Sequence, residues 1–143
     1  MMNSRLLTEH VSFEQRAESW QDAIRMAARP LVEANKVEER YVDAMIANVE
    51  TLGPYIVIMP GVAMPHSRTE DGAKETCVSV MKLSEEVEFP GENKVKLVVV
   101  LAAKENNKHM EPLSDMCDVF MDDDLMDRLM QADSLEKVRA CLA

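Results

Sequence analysis

Apolar positions recur every three to four residues through the first third of the chain, merge into short unbroken blocks in the middle, and return to the helical period at the end. From Trp20 onward Ala23, Ile24, Ala27, Ala28, Leu31 and Val32 fall at helical spacing. Ser19 precedes them as an N-cap, and Pro30 is placed to bend the helix late in its course. The stretch EERYVDAMIANVETLG sets Tyr41, Val42, Met45, Ile46, Val49 and Leu52 on one face and stops at Gly53-Pro54. YIVIM then reads as a strand covered on both faces. CVSVMKL and KVKLVVVLAA are further strands, with GENK as a turn signal between them, and HVSFEQRAES holds a short one near the start. Leu113, Met116, Cys117 and Phe120 mark one later helix. Leu125, Met126, Leu129 and Met130 mark a second, and Ser134 caps a third carrying Leu135, Val138 and Leu142. Helices, then strands, then helices predict a layered α/β domain.

The 143 residues fit one domain, residues 1–143, with 47% hydrophobic residues for a core. There are 26 acidic and 16 basic side chains, a formal charge of −10. That balance argues against nucleic acid, whose phosphates need clustered Lys and Arg, and favours basic protein surfaces as partners. The three cysteines, Cys77, Cys117 and Cys141, are odd in number and form no Cys-x-x-Cys pair, which reads as buried reduced thiols, with a redox or nucleophilic cysteine as the alternative. No N-terminal stretch combines basic residues with an apolar segment. No run approaches the roughly 20 apolar residues of a membrane span. The expectation is a soluble, cytoplasmic protein.

The chemistry centres on GVAMPHSR, residues 61–68. Pro65 fixes its own φ and pushes Met64 toward an extended conformation, so the backbone aims His66 at the end of an extended segment. Such an imidazole can be a base, a metal ligand or a nucleophile, or simply a satisfied structural histidine. His109 follows the strand LVVVLAA, so both histidines sit on strand exits, where sites gather in open α/β sheets. His109 is otherwise a polar loop or capping residue. Arg68 has the fork that matches phosphate oxygens, or is a solvated turn residue. Ser67 offers a hydroxyl or an N–H to the same anion, or fills the turn. MDDDLMD is an acidic helix start without the glycine and final Glu of a calcium loop. His10 reads as inert, and the methionines as core. No glycine-rich nucleotide loop is present. A metal-dependent hydrolase using His66 and His109 lacks a spaced third ligand.

With these residues in place, GPYIVIMPGVAMPHSR resembles the enzyme IIA components of the bacterial phosphoenolpyruvate–sugar phosphotransferase system, in the ascorbate-type branch of the mannitol–fructose superfamily. The likeness runs over nearly the whole chain. Its specific part is the PGxAxPHxRxExG block ending at Gly72; Ser19 to Ala23, the tyrosine-bearing second helix and His109 agree with it. The resemblance implies a mixed sheet between helical layers, hence a three-layer α-β-α sandwich around a mixed, mostly parallel sheet. It implies that His66 accepts a phosphoryl group from the phosphocarrier HPr and passes it to a IIB component, at a cysteine in this branch, for uptake of a sugar such as L-ascorbate. His109 would support that group, and no metal or organic cofactor is needed. The membrane would be met only through a IIC component, and a homodimer is compatible. A regulatory relative, binding a transporter or transcription regulator according to phosphorylation, is the alternative.

The chain departs from the wider pattern at Met59, where Gly or Ala is usual, and at Ser67, where Gly, Ala or Cys is usual. It also departs in Asn48-Val49-Glu50-Thr51, where mannitol-like members carry a site arginine. Arg68 is the expected replacement for that charge. Met59, Val62 and Met64 are expected to keep water from the phosphoryl group.

Overall fold

The computed structural model describes residues 9–53, 55–104 and 118–142. Strand β1 (His10–Glu14) leads into helix α1 (Trp20–Glu33) and helix α2 (Glu39–Leu52). Strands β2 (Val57–Met59) and β3 (Gly61–Ala63), a single 3-10 turn (Thr69–Asp71) and the long strands β4 (Cys77–Phe89) and β5 (Asn93–Ala102) follow. Helices α3 (Asp123–Gln131) and α4 (Leu135–Leu142) close the described part.

The strands form one sheet in the order β1-β4-β5-β3-β2. β1–β4 and β3–β5 are parallel; β4–β5 and β2–β3 are antiparallel. The sheet is mixed as expected, but parallel pairs hold no majority, because the turn after Phe89 folds β4 and β5 into a hairpin and the turn at Pro60 does the same for β2 and β3.

Two cores lie on opposite faces of the sheet, as the three-layer reading requires. Val98, Val100 and Ala102 of β5 pack with α1 and α2, while Leu97, Val99 and Leu101 pack with α3 and α4. This double cover explains why β5 reads as an unbroken apolar run. α1 approaches the sheet closely because its inner face is largely alanine: Ala23, Ala27 and Ala28 are fully buried, and Ser79 Oγ of β4 donates to the Ala27 carbonyl at 2.6 Å. Ser19 caps α1 by accepting the Asp22 N–H at 3.1 Å, and the helix runs through Pro30 to Glu33. Asp122 caps α3 in the same way, through the Leu125 N–H, so the acidic run is a helix start. At the other end of α3, buried Lys82 of β4 donates its ammonium to the carbonyls of Met130 and Ala132, at 2.5 and 2.9 Å.

YIVIM does not form a doubly covered strand. Only Val57–Met59 is a strand; it lies at the sheet edge, and Tyr55 and Ile58 are 40% and 43% exposed. An unbroken apolar run has the same appearance whether it is covered on both faces or left partly bare beside a site. The helix expected around Leu113, Met116 and Cys117 lies outside the described residues. No helix among the described residues is long and apolar enough to cross a membrane.

Candidate functional site

α2 ends where its last turn meets Gly53, whose φ of 89° lies in the region glycine tolerates and whose N–H returns to the Val49 carbonyl. The chain then passes through β2 and β3 and leaves the sheet at Met64-Pro65-His66. The exit is pinned on both sides: Met64 N–H donates to the Ile56 carbonyl at 2.8 Å and Leu101 N–H to the Pro65 carbonyl at 3.0 Å. The aim of His66 therefore rests on hydrogen bonds as well as on the proline.

His66 is half-buried, and its Nδ1 lies 2.8 Å from the Met64 carbonyl. A carbonyl only accepts, so Nδ1 holds the proton and the neutral ring carries its lone pair on Nε2. Tyr55 stands edge-on to the imidazole, with ring centroids 5.5 Å apart at 84°, and its hydroxyl donates to the His66 carbonyl at 3.3 Å. His66 opens onto a surface depression of about 800 Å³, shared with Asn48, Tyr55, Ser67, Arg68 and Asp71.

Ser67 is buried, and its protons are committed. Its hydroxyl donates to the Asp71 carboxylate and accepts from Asn48 Nδ2 at 3.0 Å, while its N–H donates to the Tyr41 hydroxyl at 3.0 Å. Ser67 thus ties α2 to the 3-10 turn in this arrangement, and its expected part as an anion donor changes accordingly. Gly72 closes that turn at φ 131°, where a Cβ would meet Arg40, Glu38 and Tyr41 at 3.2 to 3.3 Å. Arg68 lines the depression from the solvent side; its side chain is 76% exposed and its Nε stands 4.0 Å from the Glu70 carboxylate. From the stretch without arginine, Asn48 reaches the depression, while Glu50 is exposed.

One expectation changes. Val62 and Met64 are buried in the core shared with α3 and α4, and Met59 packs against the same core, so they do not shield a group on His66. The apolar rim comes instead from Ala44, Ala47, Leu52 and Tyr55. His10 stands in β1, where Lys36 Nζ lies 3.2 Å from its Nε2, and burial first, then Lys36, holds its pKa below the ordinary value. Burial pushes the Cys77 thiol up to about 12, consistent with a reduced core thiol, and Cys141 is also buried. His109 and Cys117 lie outside the described residues. Among the described residues no three His, Cys, Asp or Glu side chains gather to hold a metal ion.

The site residues that the sequence reading passes over are Tyr41, Tyr55 and Asp71. Tyr41 counts there only as part of an apolar face. A buried phenol needs a hydrogen-bond partner, and that was the available signal.

Comparison with known proteins agrees with this geometry. The family model described as phosphoenolpyruvate-dependent sugar phosphotransferase system, EIIA 2, matches residues 5–143. The ascorbate-specific PTS system EIIA component of Shigella dysenteriae is 36% identical over 132 residues, 90% of this chain and 86% of that protein. The solution structure of the mannitol-specific cryptic phosphotransferase enzyme IIA CmtB from Escherichia coli superposes with a TM-score of 0.90 at 29% identity, covering 99% of this chain and 98% of that one. Mannitol enzyme IIA from Escherichia coli, determined in complex with phosphorylated enzyme IIB, gives a TM-score of 0.81 at 29% identity, with 94% of each chain covered.

Proposed function

This chain belongs to the EIIA 2 family of the phosphoenolpyruvate-dependent sugar phosphotransferase system, whose members transfer phosphoryl groups, and from that premise we propose which atoms carry the group here. His66 accepts it on Nε2 from phospho-HPr and passes it to a cysteine of a IIB component in an ascorbate-type uptake system. The whole chain acts as one cytoplasmic domain, meeting the membrane only through a IIC component.

The observation that carries this reading is the 2.8 Å contact of His66 Nδ1 with the Met64 carbonyl, which leaves the lone pair on Nε2. In loading, that lone pair forms the new N–P bond as the N–P bond of phospho-HPr breaks and its electron pair returns to the HPr histidine. In unloading, a thiolate attacks phosphorus, and the electron pair of the His66 N–P bond returns to Nε2. Throughout, Nδ1–H stays on the Met64 carbonyl, which steadies the positive charge the ring takes up. Phosphoryl transfer of this kind depends on in-line placement and charge stabilisation. Arg68 supplies positive charge from the rim, and His109 is assigned the supporting role that the family resemblance gives it.

Incubation with phosphoenolpyruvate, enzyme I and HPr, followed by intact-mass measurement, tests the reading. One added phosphate is expected, absent from His66→Ala and present in His109→Ala. Labelling of His66→Ala would overturn it. Arg68→Ala is expected to slow loading or shorten the lifetime of the phosphoprotein; if it left both unchanged, Arg68 would have no part in the chemistry.

A further inference from the structure

The parallel pairing of β3 with β5 sets Val62 against Leu97 and Ala63 against Val98. The same offset, carried past the end of β3, sets His66 against Leu101. In a parallel ladder Leu101 would then donate its N–H to the carbonyl before His66 and accept the N–H after it. The first bond is made, from Leu101 N–H to the Pro65 carbonyl at 3.0 Å. In place of the second stands the Tyr41 hydroxyl. It accepts the Ser67 N–H at 3.0 Å and donates to the Leu101 carbonyl at 2.8 Å, nearer than the Ser67 carbonyl at 3.1 Å.

We propose that Tyr41 is a positioning residue for phosphoryl transfer: its hydroxyl, inserted into the β3–β5 ladder, holds the His66 exit off the sheet so that the imidazole faces the depression. The proposal rests on the reading of His66 as the phosphoryl acceptor. A phenylalanine would fill the same fully buried space, so packing alone does not call for the hydroxyl. Burial also raises the pKa of the phenol far above neutral, so it stays protonated and able to donate and accept together. Without it, Ser67 N–H and the Leu101 carbonyl either pair directly, drawing His66 flat against the ladder, or stay buried and unpaired. Both outcomes disturb the geometry that sets the Nδ1–H tautomer.

The test is steady-state loading from phospho-HPr by Tyr41→Phe, at a temperature well below its melting point. An Ile24→Val variant, in the core and outside the lining of the depression, serves as a destabilised control. The expected result is a kcat lowered roughly tenfold to a hundredfold with KM nearly unchanged, since a small misplacement of a reacting group has effects of that order, while the control retains wild-type kcat. An unchanged kcat in Tyr41→Phe overturns the proposal. A second measurement needs no variant: the wild-type protein should show a slowly exchanging Tyr41 hydroxyl proton with an NMR cross-relaxation peak to the Ser67 amide proton. Its absence also overturns the proposal. If the wild-type chain failed to load on His66 at all, the functional reading would fall, while the hydroxyl signal would still decide whether the ladder is bridged.

Discussion

His66 owes its chemistry to the atoms nearest it. A neutral imidazole in water divides its proton between two nitrogens; here the Met64 carbonyl selects Nδ1. Tyr55 then covers one edge of the ring and grips the backbone through the His66 carbonyl. An N–P bond in this position is open to hydrolysis, and Tyr55 is an aromatic group standing against the ring. Tyr55→Ala should shorten the half-life of the isolated phosphoprotein severalfold, whereas Tyr55→Phe, which keeps the ring edge, should change it little. Half-lives followed by intact mass check this; equal lifetimes in all three proteins would remove Tyr55 from the shield. PGxAxPHxR made His66 and its stiff exit legible in the sequence. The tautomer was not legible, because it depends on a carbonyl whose direction follows only from the folded turn. Nor was the fate of Ser67, because Asn48 and Asp71 approach it from different elements.

Helices and strands were legible wherever one rule governed them. Ser19, Asp122 and Gly53 mark ends by local capping chemistry, and the structure has those ends where the residues stand. YIVIM shows where the rule fails: a partly exposed edge strand is as apolar as a central one. Lys82 shows another failure. Within an apolar strand it looks like a solvent-facing position, yet its ammonium lies under α3 and holds the last carbonyls of that helix. Helix C-termini carry partial negative charge and unmet acceptors, so a buried cation placed there is well matched. Lys82→Met keeps the stem's bulk and removes the donors. It should lower stability by about 1–3 kcal/mol, the usual cost of leaving buried acceptors unmet, measured by urea unfolding. No loss of stability would mean that water replaces the ammonium without cost.

For the molecule as a whole, a layered α/β domain was legible because helical and unbroken apolar periods follow one another along the chain, whereas the mixed sheet between helical layers followed from the family resemblance. The balance of parallel and antiparallel pairs was not, since apolar content says nothing about strand direction. Stability against pH also belongs to this scale. His10 on edge strand β1 accepts from Lys36, which also pairs with Glu9 at 2.5 Å. Burial, then Lys36, lowers the folded-state pKa of His10 below 6.5, with Glu9 opposing. The unfolded chain therefore takes up the proton first as pH falls below 6.5, so this contribution to stability is present above that pH and lost below it. Melting temperature measured from about pH 7.5 to pH 5.5 should fall more steeply for the wild type than for His10→Gln. Parallel profiles would show that His10 carries no such linkage.

The central claim is the identity of the loaded atom. Protein labelled with 15N and phosphorylated through HPr should give a 31P–15N coupling to Nε2 of His66, with Nδ1 still bearing its proton. A coupling to Nδ1, or a phosphoryl group on any other residue, would contradict the account.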